Sequence, residues 1–303
     1  MSGATKRTLN VCTVGHEGHG KTTLTAALSR VCSADFGSAK VEFDTVNNAP
    51  DEKCGAVTFK AAHVKYDSKQ CHLAHIDCPR SSDYVKGFIS GGIKVDAAIL
   101  VCSAVGGMQS QTHEHILLCG HVGVPYVIVF LNKAEMVGEA DDQEFYEQEI
   151  REKLIAAGFP GDDTLIIKGS AFMALEGKDD NQMGTTAVKK LLEALDSHTP
   201  TVAAADKTLP QPHTQFEAMI YLLSKEEGGV FTAIQNYYKP KFNFLTSEVT
   251  GELRLPAEKT MAGDNTVADI TLSQAIAMEK GQNFTITESG LTIGTGIVLN
   301  IIK

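Results

Sequence analysis

A glycine-rich motif near the start of the chain constrains the fold more than any other feature. Residues 15–22 read GHEGHGKT, which fits the pattern G-x-x-x-x-G-K-[ST], and they lie between an apolar run and a segment with helical periodicity. Glycines allow backbone amides to surround phosphate oxygens, Lys21 supplies positive charge, and the Thr22 hydroxyl can bind magnesium. The motif therefore predicts a strand, loop and helix unit that binds a nucleotide, in preference to an ordinary glycine-rich turn.

The first two thirds of the chain alternate short apolar runs with longer amphipathic segments, up to about Asp196. The apolar runs predict strands over 9–15, 63–67, 71–77, 97–104, 125–132 and 164–170. The amphipathic segments predict helices over 21–31, 82–91, 112–122, 141–157 and 184–197. Apolar strands separated by helices are typical of a mainly parallel sheet covered on both faces. We therefore predict an α/β fold of the P-loop type for this part.

The pattern changes after residue 197. Residues 198–212 are rich in Pro, Ala and Thr and show no helical or strand period, which predicts a linker. Short alternating segments broken by Gly, Pro and Asn follow, and they indicate a small antiparallel β-barrel or sandwich. The expected organisation is a nucleotide-binding domain over 1–197, a linker over 198–212 and a barrel domain over 213–303.

Composition limits the classes of partner and the compartment. A net charge of -10 argues against a broad electrostatic grip on nucleic acid, which needs clustered Lys and Arg. The seven cysteines are scattered without C-x-x-C pairs, as expected of buried thiols in a reducing compartment. We recognise no signal peptide and no apolar run of the roughly 18 residues that span a membrane. The chain is expected to be cytoplasmic.

Two further segments refine the nucleotide prediction. Asp77 ends an apolar strand, as does the carboxylate that holds magnesium in P-loop hydrolases. Residues 132–135, Asn-Lys-Ala-Glu, follow a later strand, and there Glu135 can accept hydrogen bonds from the adjacent N–H donors of guanine, which adenine lacks. Glu135 alone would as often be a solvated acid at a helix start. In order with the P-loop and Asp77, the segment favours a guanine-nucleotide protein.

These segments together resemble the translational GTPases of the elongation factor Tu family. In the first domain the resemblance is carried by GHEGHGKTTLTAAL, HIDCPRSSDYVKGFISG, QTHEHILLCGHVGVPYVIVFLNKAE and FPGDDTLIIKGSAFMALEGKDD. In the tail it is carried by PHTQFEAMIYLLSKEEGG, KPKFNFLTSEVTGELRLP and TIGTGIV. It covers almost the whole chain, although the family's middle barrel is missing between the two parts. The resemblance implies a GTPase-type domain followed by the family's last barrel, with GTP or GDP and Mg²⁺ as ligands.

The resemblance also assigns site residues. Nucleotide contacts are implied at Gly15, Gly18, His19, Gly20, Lys21, Thr22, Thr23, Asn132, Lys133, Glu135, Ser170, Ala171 and Phe172. Magnesium ligands are implied at Thr22, Thr58 and Asp77. Gly18 and Glu135 each replace a family Asp, and we expect guanine preference with reduced affinity.

The catalytic segment departs from the family at two consecutive positions. Arg80 replaces the family's Gly, whose backbone contacts the terminal phosphate, and Ser81 replaces the His that positions the attacking water. A side chain at position 80 obstructs the peptide rotation that only Gly tolerates fully. Ser81 cannot take a proton at neutral pH, so GTP hydrolysis is expected to be weak or absent. The alternative is an active GTPase in which Arg80 and Ser81 form a rearranged catalytic site.

The expected partners follow from the same comparison. In the family, the end of the aminoacyl-tRNA is held between the nucleotide domain and the middle barrel that this chain lacks. Family cations that face the tRNA stem correspond to Val230, Phe231, Thr287 and Leu291, so tRNA binding and delivery are expected to be impaired. We expect action through a protein partner, such as an exchange factor, a modifying enzyme or a toxin, or through an inhibitor. A further reading is a nucleotide-free relic that retains the loop for folding.

Overall fold

The structure of the protein is a computed structural model in which most of the chain is described. The described residues are 6–54, 57–78, 81–89, 95–105, 109–137, 140–197, 211–227, 229, 232–244 and 247–302. The elements of the first domain are β1 (Arg7–Val14), α1 (Lys21–Phe36), α2 (Phe43–Asn47), β2 (Asp51–Cys54), β3 (Val57–Lys60), β4 (Ala62–Asp67), β5 (Cys71–Asp77), α3 (Ser81–Ile89), β6 (Ala97–Ser103), α4 (Ser110–His121), β7 (Val127–Asn132), α5 (Ala140–Ala156), β8 (Ile166–Lys168), α6 (Ala171–Glu176) and α7 (Thr185–Ser197).

The first domain is built on a six-stranded sheet with the order β4-β5-β1-β6-β7-β8. All neighbouring pairs are parallel except β4 with β5. Every residue of β6 and β7 is buried, because these central strands are covered on both faces. The predicted mainly parallel, doubly covered sheet is therefore confirmed. Its parallel strands end at one edge, where Thr13 lies opposite Asp77 and Ser103 lies opposite Asn132.

Several element boundaries differ from the prediction. Helix α1 continues past residue 31 to Phe36, because the first helix-stopping residue is Gly37, whose φ of 74° suits a C-terminal cap. The sequence patterns did not predict α2, the β2–β3 hairpin or α6. These elements are short, and the hairpin begins with the polar segment Asp51–Cys54, so they carry little periodic signal.

The second domain is a closed antiparallel barrel, which resolves the choice between barrel and sandwich. Its strand order is β11-β12-β14-β9-β16-β15, and β10 and β13 form a separate pair. The strands are β9 (Pro212–Leu222), β10 (Ala233–Gln235), β11 (Lys241–Phe244), β12 (Ser247–Arg254), β13 (Lys259–Met261), β14 (Asn265–Ala277), β15 (Asn283–Glu288) and β16 (Leu291–Ile301). Phe284 fills its interior, with ring centroids 5.2 Å from Phe244 and 5.7 Å from Phe216.

The two domains share a buried apolar cluster. Strand β9 turns Phe216 and Ile220 into the barrel and turns Met219 and Tyr221 outward. The outward residues pack in the same cluster as side chains of α3 and α4, such as Phe88. Both faces of β9 are therefore buried from Ala218 to Leu222, and the barrel rests on the helix that begins at Ser81.

The predicted linker falls mainly on 198–210, which lie outside the described residues. All seven cysteines are reduced thiols, six of them buried and Cys54 half-buried. In the part of the chain that the structure describes, no helix has both the length and the apolar character needed to cross a bilayer.

Candidate functional site

The glycine-rich loop connects β1 to α1 at the carboxyl edge of the sheet. Gly15 has a φ of 136°, and a Cβ there would overlap the carbonyl oxygen of Val101 in β6. Gly20 has a φ of 92°, and a Cβ there would overlap the Asn132 side chain at the end of β7. Both positions require glycine for conformation and for space. The loop is therefore pressed against the ends of two neighbouring strands.

Two basic residues of the loop are buried. The ring of His19 donates from Nδ1 to the Val101 carbonyl oxygen at 3.3 Å, and burial lowers its pKa to about 4, so it is neutral at physiological pH. Lys21 donates from Nζ to the carbonyl oxygen of His16 at 3.1 Å, and burial lowers its pKa as well. The ammonium group of Lys21 therefore lies within the loop, beside the backbone that a phosphate would contact.

Asp77 is fully buried and accepts three threonine hydroxyls. Thr22 donates to Oδ2 at 2.8 Å, while Thr13 and Thr25 donate to Oδ1, the latter at 3.3 Å. Burial raises the pKa of Asp77, and the hydroxyls and Lys21 act in the opposite direction. The structure thus brings together two of the three residues predicted to bind magnesium, Thr22 and Asp77.

Asn132 joins two separate loops. Its Nδ2 donates to the His19 carbonyl oxygen at 2.8 Å, and its Oδ1 accepts the Ala171 amide at 2.8 Å. Ser170 caps α6, since its Oγ accepts the amide of Met173 at 3.1 Å. The loops that carry the predicted phosphate and base contacts are therefore fixed to one another through a single buried side chain.

The residues predicted to read the base lie at the surface of this edge. Lys133 has a left-handed backbone with a φ of 61°, and Glu135 follows in a single 3-10 turn over Ala134–Met136. Glu135 is exposed, and Phe172 at the start of α6 is 59% exposed. The Ala134 amide donates to the Gly169 carbonyl oxygen at 3.2 Å, which holds the two loops side by side.

The remaining predicted residues lie in the β2–β3 hairpin or cannot be placed. Thr58 is paired with Lys53 in the β2–β3 hairpin, and its amide is 3.4 Å from Oε1 of Glu227 in the barrel. Arg80 falls outside the described residues, and so does the side chain of Ser81, whose backbone begins α3. Their catalytic roles stay predictions.

Several residues that shape the site lie outside the sequence motifs. Thr13 and Thr25 contact Asp77, and His115 of α4 accepts the Gly15 amide at Nδ1, 3.2 Å away. A threonine inside the apolar strand β1 was a usable signal, because a buried hydroxyl needs a partner. His115 and Glu227 carried no such local signal, since their partners lie far away along the chain.

Comparison with known families covers nearly the whole chain. Residues 6–201 match the family described as elongation factor Tu GTP binding domain. Residues 209–302 match the family described as elongation factor Tu C-terminal domain. Only residues 202–208 separate the two matches, which is too few for an intervening barrel.

Proposed function

The chain belongs to the elongation factor Tu family of translational GTPases, and we propose that it is a guanine-nucleotide-binding member with weak or absent GTP hydrolysis. The observation that carries the proposal is the convergence of the P-loop, the Thr22–Asp77 pair and the Asn132 link at one edge of the sheet. Parallel α/β sheets bind their ligands at this edge.

The residues of the site fit a nucleotide phosphate and its metal. Glycines at 15 and 20 allow the loop to lie against the ends of β6 and β7, and Lys21 brings an ammonium group to the loop. Thr22 and Asp77 present the hard oxygen donors that Mg²⁺ prefers, so we assign them as the residues that would hold it. The bound ion would neutralise phosphate charge.

Weak hydrolysis is inferred from the sequence at the start of α3. Ser81 stands where the family has its catalytic histidine, and a serine hydroxyl does not take a proton from water at neutral pH. Arg80 stands where the family has glycine. Thr58, the third residue implied to bind magnesium, is paired with Lys53 in the β2–β3 hairpin, and its amide contacts Glu227.

Impaired tRNA delivery is supported by the missing middle barrel and by the barrel surface. The hydroxyl of Thr287 accepts a hydrogen bond from Asn243 at 2.9 Å, and Leu291 is exposed, so neither position offers a cation to RNA. Val230 and Phe231, the other two positions, lie outside the described residues. We propose that the protein acts through a protein partner of the family, such as an exchange factor, a modifying enzyme or a toxin, or through an inhibitor.

The test of nucleotide binding is direct. The purified protein is denatured and the released nucleotide is identified by chromatography, with Lys21→Met as the binding variant and the exposed Lys65→Met as its control. We expect about one guanine nucleotide per chain from the wild type and from Lys65→Met, and a strong loss from Lys21→Met. A wild-type protein that releases none, and binds none on addition, would identify a nucleotide-free relic.

Hydrolysis and partners are measured separately. Multiple-turnover phosphate release should stay near the buffer rate, whereas turnover that disappears in Arg80→Ala would establish the rearranged catalytic site instead. Co-purification should recover a protein partner and little tRNA. Recovery of tRNA and ribosomes alone would contradict the partner role.

A further inference from the structure

Two buried threonines outside the P-loop motif donate hydrogen bonds to Asp77, the carboxylate that we assign to Mg²⁺. Thr13 lies near the end of β1 and Thr25 lies in the second turn of α1, and both are buried beside Asp77. Thr13 is directly opposite Asp77 in the parallel pairing of β1 with β5, so the sheet register itself brings the hydroxyl to the carboxylate. Neither threonine belongs to the motif of residues 15–22.

The two oxygens of Asp77 are used differently. Oδ1 accepts the hydroxyls of Thr13 and Thr25, whereas Oδ2 accepts the hydroxyl of Thr22. The rotation of a carboxylate about its last bond is soft, with a broad distribution of angles. Two donors on one oxygen restrict that rotation and direct the other oxygen toward Thr22.

We propose that Thr13 and Thr25 are positioning residues for Mg²⁺, because they hold Asp77 in the orientation that presents Oδ2 beside Thr22. This inference rests on the proposed nucleotide function. Partners that orient metal ligands without touching the metal commonly change metal affinity by about 10–100-fold when they are removed.

The contribution of Thr13 should exceed that of Thr25. The hydroxyl of Thr25 has a second acceptor, the Lys21 carbonyl oxygen at 3.1 Å, which is closer than Asp77 at 3.3 Å. A hydroxyl has one hydrogen to donate, so Thr25 divides it between two acceptors. By contrast, the hydroxyl of Thr13 donates a short hydrogen bond to Asp77 on the neighbouring strand.

The experiment follows the release of a fluorescent GDP analogue from the full-length protein across a range of free Mg²⁺ concentrations. Thr13→Val removes the hydroxyl and keeps the branched shape, Thr13→Ser restores the hydroxyl, and Thr8→Val is the control at an exposed position of the same strand. In Thr13→Val, the Mg²⁺ concentration that gives half of the maximal slowing of GDP-analogue release should rise by about 10–100-fold. Thr25→Val should shift it less, and Thr13→Ser and Thr8→Val should match the wild type.

The release rate in EDTA separates positioning from a general structural role. That rate should be the same in the wild type and in Thr13→Val, because the proposed effect acts only through the metal. A shift below about twofold in the Mg²⁺ midpoint, or faster release in EDTA as well, would overturn the inference. If Thr13→Val does not fold, Thr13→Ala is compared with Thr13→Ser by the same titration. Failure of the proposed function would appear differently, as a wild type that binds no GDP analogue or releases it independently of Mg²⁺.

Discussion

Glu227 of the barrel accepts a hydrogen bond from Lys86 of α3 at 3.0 Å, and the amide of Thr58 in β3 lies 3.4 Å from the same oxygen. Its other oxygen accepts the hydroxyl of Tyr221 at 2.5 Å and the amide of Ser224 at 3.0 Å. One carboxylate of the barrel domain therefore contacts both β3, which carries the predicted magnesium ligand Thr58, and α3, which begins at the predicted catalytic position Ser81.

Glu227→Gln should loosen this contact between the domains. Burial alone raises the pKa of Glu227, but hydrogen bonds from Tyr221, Ser224 and Lys86 outweigh it and lower the pKa, so the group is a carboxylate at neutral pH. Hydrogen bonds to a charged group contribute about 1.5–3 kcal/mol, and we expect a loss of that order in the free energy of unfolding. Denaturant titration measures it, with the exposed Glu226→Gln as the matched control. Equal stabilities for the two variants would contradict the assignment.

His75 should make the stability of the protein depend on pH below neutrality. It is 1% exposed, Tyr66 is hydrogen-bonded to its Nδ1, and burial lowers its pKa to about 3. Because the unfolded chain binds this proton near pH 6.5 and the folded chain does not, stability falls as the pH decreases from about 6.5 toward 3, by up to about 1.4 kcal/mol per pH unit.

The matching variant is His75→Gln, which retains an acceptor for Tyr66 and has no titratable ring. The free energy of unfolding, measured from pH 7 to 5, should fall less steeply in this variant than in the wild type. His213→Gln, at a half-buried position of β9, is the control for the same exchange elsewhere in the chain. Parallel curves for the wild type and His75→Gln would refute the prediction.

Asn132→Ala should weaken nucleotide binding by removing the link between the P-loop and the Ser170–Ala171 loop. Two hydrogen bonds at about 1 kcal/mol each correspond to a loss of affinity of about tenfold to 100-fold. Asn132→Asp keeps the acceptor for the Ala171 amide but places an oxygen against the His19 carbonyl, and should be impaired too. Equilibrium titration with fluorescent GDP measures both, and Asn300→Ala in the barrel should bind as the wild type does.

Alanine substitutions in the P-loop should differ according to the space around each glycine. Gly18 and Gly20 both have positive φ, 79° and 92°, so either substitution strains the backbone. A Cβ at Gly20 would also overlap Asn132, whereas at Gly18 no heavy atom lies within 4 Å. GDP affinity should therefore fall more in Gly20→Ala than in Gly18→Ala. A larger loss of GDP affinity in Gly18→Ala than in Gly20→Ala would contradict this prediction and would mean that the loop rearranges freely.

The sequence predicted those parts of the site that depend on local pattern. Asp77 and Asn132 end apolar strands and the P-loop follows one, and parallel strands bring such residues to one edge. The contact of Thr13 with Asp77 depends on which strands are neighbours, and the Glu227 contacts depend on how the barrel docks. No periodicity encodes either relationship. The β2–β3 hairpin was missed for a different reason, since its first strand is polar and short.

The burial of both faces of β9 from Ala218 to Leu222 affects how the two domains unfold. Met219 and Tyr221 belong to the same apolar cluster as Phe88, so separating the barrel from the first domain would expose core residues of both to water. The two domains should then melt in one calorimetric transition, and cleavage within 198–210 should leave the fragments associated. We therefore expect the boundary between domains in the sequence not to coincide with a boundary of cooperative unfolding.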